Sequence, residues 1–341
     1  MLNRSALASA IALLLVAAPL SFAACTSSSS NDASSPAATP SATEEDGGAP
    51  LESDASSDAD AIAASEIPAP VGCPSAKFKT LVIIGDSISD VGSRIGTTTQ
   101  VPFYRTLLVA NDDAKYPDWK GFDLETCWGL DPNADVVKVS VGGAVATVPA
   151  TNAPSDMGIL VNQATSLSAT LPGPVLIVGT IGGNDAQAGL ATVLMGTQAQ
   201  MQAKIDGFVS GFGAAMTELT KPDRFGAGVK AQVLMTDVYD PSGGTGHFYY
   251  TPGGEACPGA LGYWPDNKET KSALEPWNKA MADEVAKHPN VKLLELASLF
   301  ASHAVATPVG INWFYKDCIH PNSLGHHALR SVFWSGMRSL P

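Results

Sequence analysis

Five short apolar runs recur in residues 73–341, and each has the β-branched and aliphatic composition of a strand buried on both faces. They are Thr80–Ile84, Val136–Val141, Val175–Thr180, Ala231–Thr236 and Val291–Leu296. Helix-like segments lie between and after them, at Phe103–Ala110, Leu160–Leu171, Ala191–Thr220, Glu269–Lys287 and Ser323–Met337. This alternation predicts an α/β fold, a three-layer α/β/α sandwich around a mostly parallel five-stranded sheet.

Right-handed crossovers place the carboxyl ends of such strands on one edge of the sheet, so the segments after the strands are candidates for one site. One of them, Tyr239–Asp266, combines seven glycines with several aromatic residues, and a loop of this length is usually functional or disordered. We expect it to form a substrate wall or lid, with Tyr249, Tyr250 and the later Trp313 as substrate contacts. The rings of Asn111–Ala134 are expected to pack beneath their own loop.

The first 24 residues have the pattern of a signal peptide. A basic residue precedes the apolar stretch Ala6–Leu20, which is too short to remain as a membrane-spanning helix. The segment that ends at Cys25 resembles the lipobox of bacterial lipoproteins, with Phe22 at the usual leucine position. We expect a lipidated Cys25 on an exported protein facing the periplasm or exterior; the alternative is ordinary cleavage after Ala23 and free secretion.

Residues 25–72 are predicted to be a disordered acidic tether, and residues 73–341 a single domain. The stretch 26–72 is rich in Ser, Ala, Pro and Asp and holds nine acidic residues with no Lys or Arg. Its expected reach is about 40 Å. The chain carries a net charge of −13, but residues 73–341 hold 24 acidic and 19 basic residues, a net of −5. This balance argues against a nucleic-acid partner.

Four cysteines remain if Cys25 carries lipid, an even number in an exported protein. Three disulfide pairings are possible, and we favour Cys73–Cys127 with Cys257–Cys318. A zinc site is the alternative, although no two of these cysteines have the short Cys-x-x-Cys spacing that zinc sites favour.

The first apolar run ends in the turn Gly85-Asp86-Ser87. A serine just past the carboxyl end of a buried parallel strand stands where such sheets bind ligands, so Ser87 is a candidate nucleophile. The alternative is a serine that caps the amino end of a helix.

Three later segments offer partners for that serine. Gly142 and Gly143 after the second run can bring backbone N–H groups to an oxyanion, or form a tight turn. Asn184 after the third run offers a side-chain N–H₂ donor, or an Asx turn. Asp317 and His320, three residues apart, can place a carboxylate on one nitrogen of an imidazole while the other points outward.

Taken together, these segments resemble the SGNH hydrolases, also called the GDSL esterase/lipase family, over residues 78–325. The family's blocks are matched by Gly85, Asp86, Ser87, Asp90 and Gly92, by Val141–Ala144, by Gly182–Asp185 and by Asp317–Pro321. In the second block Gly143 is the better match and Gly142 the alternative, and no asparagine stands near Ser140 as it does in many members. The resemblance implies a flavodoxin-like fold and a serine ester hydrolase of the carboxylesterase or lipase type.

The resemblance also implies a role for each residue. Ser87 attacks an ester carbonyl, His320 acts as base and then acid, and Asp317 orients the imidazole. The oxyanion is held by the backbone N–H groups of Ser87 and Gly143 and by the side chain of Asn184. No metal or organic cofactor is implied.

Asp86 and Asp90 are expected to shape the serine turn rather than to act as acids. The expected partner is a small-molecule, lipid or carbohydrate ester, and the protein is expected to be a monomer that meets a membrane only through its lipid. Two other functions stay open: a carbohydrate O-acetylesterase on the same scaffold and a non-catalytic surface binding lipoprotein. A dinucleotide-binding enzyme is excluded because no Gly-x-Gly-x-x-Gly follows the first run.

Overall fold

The computed structural model of the protein describes residues 67–90, 103–111, 113–149, 156–245, 249–250, 255–256, 270–305, 307, 312–315 and 317–341. The predicted signal peptide, the lipidation site at Cys25 and the tether up to residue 66 lie outside the described residues. Within these ranges no helix is both long enough and apolar enough to cross a bilayer.

Five parallel strands form the central sheet, as predicted. They are β1 (Thr80–Gly85), β2 (Val136–Lys138), β3 (Val175–Thr180), β4 (Ala231–Thr236) and β5 (Val291–Leu294), in the order β2-β1-β3-β4-β5. This is the flavodoxin-like order. β2 is shorter than predicted because the N–H groups of Val139 and Ser140 both bond to the Ile83 carbonyl. A separate antiparallel ladder pairs Tyr249–Tyr250 with Glu255–Ala256.

Helices connect the strands. They are α1 (Tyr104–Val109), a 3₁₀ turn (Pro117–Trp119), α2 (Leu124–Trp128), α3 (Leu160–Ser166), α4 (Gly183–Met195), α5 (Gln198–Thr220), α6 (Thr270–Val285), α7 (Ala297–Ala301) and α8 (Ser323–Arg338). The single long helix predicted over Ala191–Thr220 is wrong. It is interrupted at Gly196, where Thr197 starts α5 with a capping box to Gln200.

The central strands β1, β3 and β4 are buried on both faces, which explains their continuous apolar runs. In β1, Leu81 and Ile83 point into one core with residues of α1 and α8, whereas Val82 and Ile84 point into the other with residues of α3, α5 and α6. All four side chains are fully buried. Full burial of such a side chain typically contributes about 1.5–3 kcal/mol, so this strand is rigidly held up to the turn that follows it.

The strand order reverses between β1 and β3, and this point positions the candidate site. The two strands run side by side with Gly85 opposite Thr180 at their carboxyl ends. Ligands of open α/β sheets bind in the crevice outside the carboxyl ends of the strands at such a point. Ser87 follows β1 and Asn184 follows β3.

The predicted Cys73–Cys127 disulfide is confirmed, and the zinc alternative is therefore wrong for these two cysteines. Cys318 is also disulfide-bonded and buried. Its predicted partner, Cys257, lies outside the described residues.

Candidate active site

The turn after β1 holds Ser87 at the carboxyl edge of the sheet. Gly85 has φ +115°, and a Cβ at this position would lie 2.0 Å from the Thr180 carbonyl oxygen, so only glycine fits. Gln163 of α3 binds both backbone groups of Gly85, accepting its N–H at 2.7 Å and donating to its carbonyl at 3.0 Å. The start of the turn is thereby fixed, and Ser87 itself is partly exposed.

Ser87, His320 and Asp317 form one chain of hydrogen bonds. Ser87 Oγ lies 2.7 Å from His320 Nε2, and His320 Nδ1 lies 2.8 Å from Asp317 Oδ2. Because an ionised carboxylate only accepts, Nδ1 carries the proton and Nε2 offers its lone pair to the serine hydroxyl. In this arrangement a histidine can take the serine proton as a general base.

Several hydrogen bonds hold the loop that contains Asp317 and His320. Asp317 Oδ1 accepts the backbone N–H groups of Ile319 and His320, each at 2.9 Å. Tyr239, which follows β4, donates its hydroxyl to the Ile319 carbonyl at 2.6 Å. Asn322 then caps α8 by accepting two backbone N–H groups of its first turn. The imidazole is therefore oriented by a folded loop as well as by its carboxylate.

The environment of Asp317 favours its ionised form. Burial acts to raise the pKa of this carboxyl, but the hydrogen bond and charge of His320 and the two backbone N–H bonds outweigh burial. The pKa of Asp317 is consequently below its ordinary value. An ionised carboxylate here stabilises an imidazolium on His320.

Gly143 is better placed than Gly142 to serve as an oxyanion donor. The Gly142 N–H already donates to Asp90 Oδ2 at 2.9 Å. Gly143 is exposed with φ +79°, and its N–H bonds to no acceptor in the described part of the chain. The Asn184 side-chain nitrogen donates one N–H to the Ala144 carbonyl at 3.0 Å. The amide of Asn184 thus contacts the loop Val141–Ala144 (the glycine loop) and keeps a second N–H.

Asp185 is a site-supporting residue that the sequence analysis missed. Its two carboxylate oxygens accept the N–H groups of Ala146 and Thr147 at 2.9 and 2.8 Å, and its side chain is buried. These two hydrogen bonds connect Ala146 and Thr147, which follow the two glycines, to the start of α4. The Gly-x-Asn-Asp motif contained the signal, because its last residue is Asp185.

Asp86 and Asp90 shape the serine turn, as expected. Asp86 Oδ1 accepts the Ile88 N–H at 3.1 Å and the Thr180 hydroxyl at 2.7 Å. Burial raises the pKa of Asp86 to about 6, against the lowering effect of these bonds and of the His320 charge. Asp90 forms an ion pair with Lys138 in addition to its bond with Gly142.

The expectation that Trp313 contacts substrate is not supported. Its ring is fully buried and stacks on His303 at 3.5 Å between ring centroids, with Phe300 against it edge-on. Tyr249 and Tyr250 form a strand of the small ladder, and their side chains lie outside the described part of the structure.

The rings of the loop after α1 pack inward, as expected for Asn111–Ala134. Trp119 and Phe122 both contact Trp334 of α8 edge-on. The aromatic residues of this loop that the structure describes thus belong to the core. They do not mark a substrate surface.

Comparison with solved structures finds distant relatives. Phospholipase A1 from Streptomyces albidoflavus NA297 is 18% identical, with 77% of this chain and 99% of that chain covered and a TM-score of 0.42. An acetylxylan esterase from Geobacillus stearothermophilus is 14% identical, covering 78% and 96% with a TM-score of 0.42. A lipase from a goat rumen metagenome is 11% identical, covering 75% and 98% with a TM-score of 0.42.

No curated protein matches the sequence. A family model does match, over residues 81–332, and its description is GDSL-like Lipase/Acylhydrolase. The match runs from β1 to α8 and so includes the serine turn, the glycine loop, Asn184 and the Asp317–His320 loop. The chain therefore belongs to the GDSL-like lipase/acylhydrolase family and is a hydrolase that acts on ester bonds.

Proposed function

We propose that the protein is a serine ester hydrolase that works through an acyl-enzyme on Ser87. Ser87 Oγ attacks the ester carbonyl carbon while His320 Nε2 takes the hydroxyl proton. The tetrahedral intermediate collapses, the bond to the alcohol oxygen breaks, and His320 returns the proton to the departing alcohol. Water then attacks the acyl-enzyme with His320 again as base, which releases the acid and restores the serine.

Asp317 and the oxyanion donors support each step. Asp317 keeps the proton on His320 Nδ1 and stabilises the imidazolium that forms after proton transfer. The backbone N–H groups of Ser87 and Gly143 and the side-chain amide of Asn184 bind the negative oxygen of the intermediate. The reaction as proposed needs no metal and no organic cofactor.

The observation that carries the proposal is the continuous path from Ser87 Oγ through His320 to Asp317. Its first link, at 2.7 Å, joins Ser87 to His320, 233 positions apart in the sequence, and its second, at 2.8 Å, joins His320 to Asp317. An isolated Gly-Asp-Ser turn that only capped a helix would not need an imidazole on its hydroxyl. This contact favours a nucleophile over a capping residue.

Hydrolysis of p-nitrophenyl esters tests the proposal. The wild-type protein should turn over the acetate, and Ser87→Ala should lose turnover nearly completely. A comparison of acetate with octanoate, alongside acetate release from acetylated xylan, separates a carboxylesterase or lipase from a carbohydrate O-acetylesterase. If the wild-type protein turns over none of these esters and takes up no fluorophosphonate label on Ser87, the proposal is wrong.

We further propose that the enzyme is an exported monomeric lipoprotein, anchored through Cys25 by the tether that ends at residue 72. The Cys73–Cys127 disulfide supports export, because disulfides persist in oxidising compartments. Metabolic labelling with a palmitate analogue should mark the wild-type chain and not a Cys25→Ser variant. Equal labelling of both chains, or of neither, would contradict the anchor.

A further inference from the structure

We propose that Asp90 and Lys138 act as a pair of positioning residues that hold the backbone N–H of Gly143 in the oxyanion hole. The inference rests on the proposed function, because it concerns the transition state of the same reaction. It assigns to two charged residues a role in the reaction rate beyond the shape of the serine turn.

Asp90 joins the serine turn to the glycine loop. Its Oδ2 accepts the N–H of Gly142, the neighbour of Gly143, at 2.9 Å, and its Oδ1 forms the ion pair with Lys138. Lys138 is the last residue of β2. One carboxylate therefore connects the end of β2, the glycine loop and the turn of the nucleophile.

Hydrogen bonds hold Gly143, because packing does not. A Cβ at position 143 would meet no atom within 4 Å, and the residue is exposed with φ +79°. Before it, the Val141 N–H donates to the Gly85 carbonyl at 3.0 Å. After it, Asn184 binds the Ala144 carbonyl. The peptide unit that precedes the Gly143 N–H is held at both of its polar groups: its Gly142 N–H donates to Asp90, and its Val141 carbonyl accepts the Ala144 N–H at 3.2 Å. Of these two bonds, the one to Asp90 comes from a side chain.

The charge of Lys138 is as important as the bond. A carboxylate close to the oxyanion opposes the negative charge that develops there, unless a cation neutralises it. The side chain of Asp90 is only 13% exposed, so water screens it poorly. Arg105 also interacts with it: burial lowers the pKa of Arg105, and the charges of Tyr104 and Asp90 partly oppose this lowering.

Two single variants and their combination test the pair. In Asp90→Asn one end of the amide is a donor, so the side chain cannot accept from both Gly142 and the Lys138 ammonium. Lys138→Met keeps the carboxylate on Gly142 and removes the Lys138 ammonium from it. In the double variant the amide oxygen can accept the Gly142 N–H, and no ammonium lies against the N–H₂ group of the amide.

Matched controls make the same chemical changes elsewhere. Asp223 also accepts a glycine N–H, that of Gly228 at 2.8 Å, but in the turn before β4 at the opposite edge of the sheet. Lys279 forms an exposed ion pair with Asp283 on α6. Asp223→Asn and Lys279→Met should keep wild-type kcat and KM.

We expect kcat on p-nitrophenyl acetate to fall about 10- to 100-fold in each single variant, because displacement of an oxyanion donor by even a fraction of an ångström weakens transition-state binding. KM should stay within about twofold, since the ground-state ester carbonyl depends little on these donors. Inhibition by a trifluoromethyl ketone, which forms a tetrahedral adduct, should weaken by the same factor as kcat/KM. The double variant should lose less than the product of the two single losses.

Exhaustive labelling with a fluorophosphonate counts active sites, so kcat refers only to folded enzyme. The proposal is overturned if kcat stays within about twofold of wild type, if KM alone changes, or if the two losses simply multiply. If Asp90→Asn does not fold, the kinetics of Lys138→Met alone test the proposal. The Lys138 side chain is 34% exposed, so its replacement should not prevent folding. Ser87→Ala is measured in parallel: residual turnover there refutes the proposed function, whereas an inactive Ser87→Ala with normal Asp90 and Lys138 variants refutes only the positioning role.

Discussion

We expect the wild-type domain to lose stability as the pH rises from about 4 to about 6, and the Asp86→Asn variant not to show this loss. The Asp86 carboxyl is 2% exposed, and burial raises its pKa from 3.8 to about 6. Between these values the folded chain keeps a proton that the unfolded chain has released. The unfolded state therefore binds fewer protons, and the free energy of unfolding falls as the pH rises.

The size of this effect follows from the two pKa values. A difference of about two units, at about 1.4 kcal/mol per unit, corresponds to about 3 kcal/mol of stability lost by pH 7. Asn has the size of Asp, and one oxygen of Asp86 accepts both the Ile88 N–H and the Thr180 hydroxyl. An amide oxygen can keep these two bonds, so the variant loses the titration and not the turn.

Urea denaturation of both proteins at a series of pH values from 4 to 8 measures the effect. The free energy of unfolding of Asp86→Asn minus that of wild type should grow by about 2.4 kcal/mol between pH 4 and pH 7 and then level off, because the unfolded carboxyl has already begun to release its proton at pH 4. Titration of the groups that do not interact with Asp86 cancels in this difference. A difference that does not change with pH would refute the reasoning.

Other predictions concern the remaining site residues. Asn184→Ala should lower kcat about 10²- to 10³-fold, or roughly 2.7–4 kcal/mol, in steady-state assays; an unchanged kcat would remove Asn184 from the oxyanion hole. Gln163→Leu leaves the backbone N–H at the end of β1 without its buried acceptor and should lower the free energy of unfolding by about 1–3 kcal/mol in urea titrations, whereas no loss would mean that this N–H finds another acceptor. Asp317→Asn presents an N–H₂ group to His320 Nδ1 and should lower kcat less than Ser87→Ala does. Equal loss in both would make the carboxylate as essential as the nucleophile.

The fold could be predicted from the sequence because its central strands, β1, β3 and β4, are buried on both faces. Burial on both faces makes each of them a nearly continuous apolar run, and alternation with helices leaves few topologies. The sequence also indicates the boundary between α4 and α5, since Gly196 precedes a Thr-x-x-Gln capping box. Short helices such as α7, with only five residues, carry too little periodicity to stand out.

The candidate site could be predicted where a recognisable motif contains the reactive residue. It could not be predicted where the role of a residue depends on a contact with a residue far away in the sequence. Ser87, Asn184 and His320 follow strands or precede the last helix in recognisable motifs. Gln163 lies 78 positions from Gly85, and nothing in the local sequence indicates that they pair. For Trp313, an aromatic residue near a motif looks the same in the sequence whether its ring faces the core or the cleft.

Mass spectrometry of the protein after reaction with a fluorophosphonate tests the central claim most directly. We expect one equivalent of label, located by peptide mapping on Ser87, with esterase activity lost in proportion to labelling. The Ser87→Ala variant should take up no label. Label on another residue with loss of activity, or full activity in a chain labelled at Ser87, would contradict the assignment of Ser87 as the nucleophile.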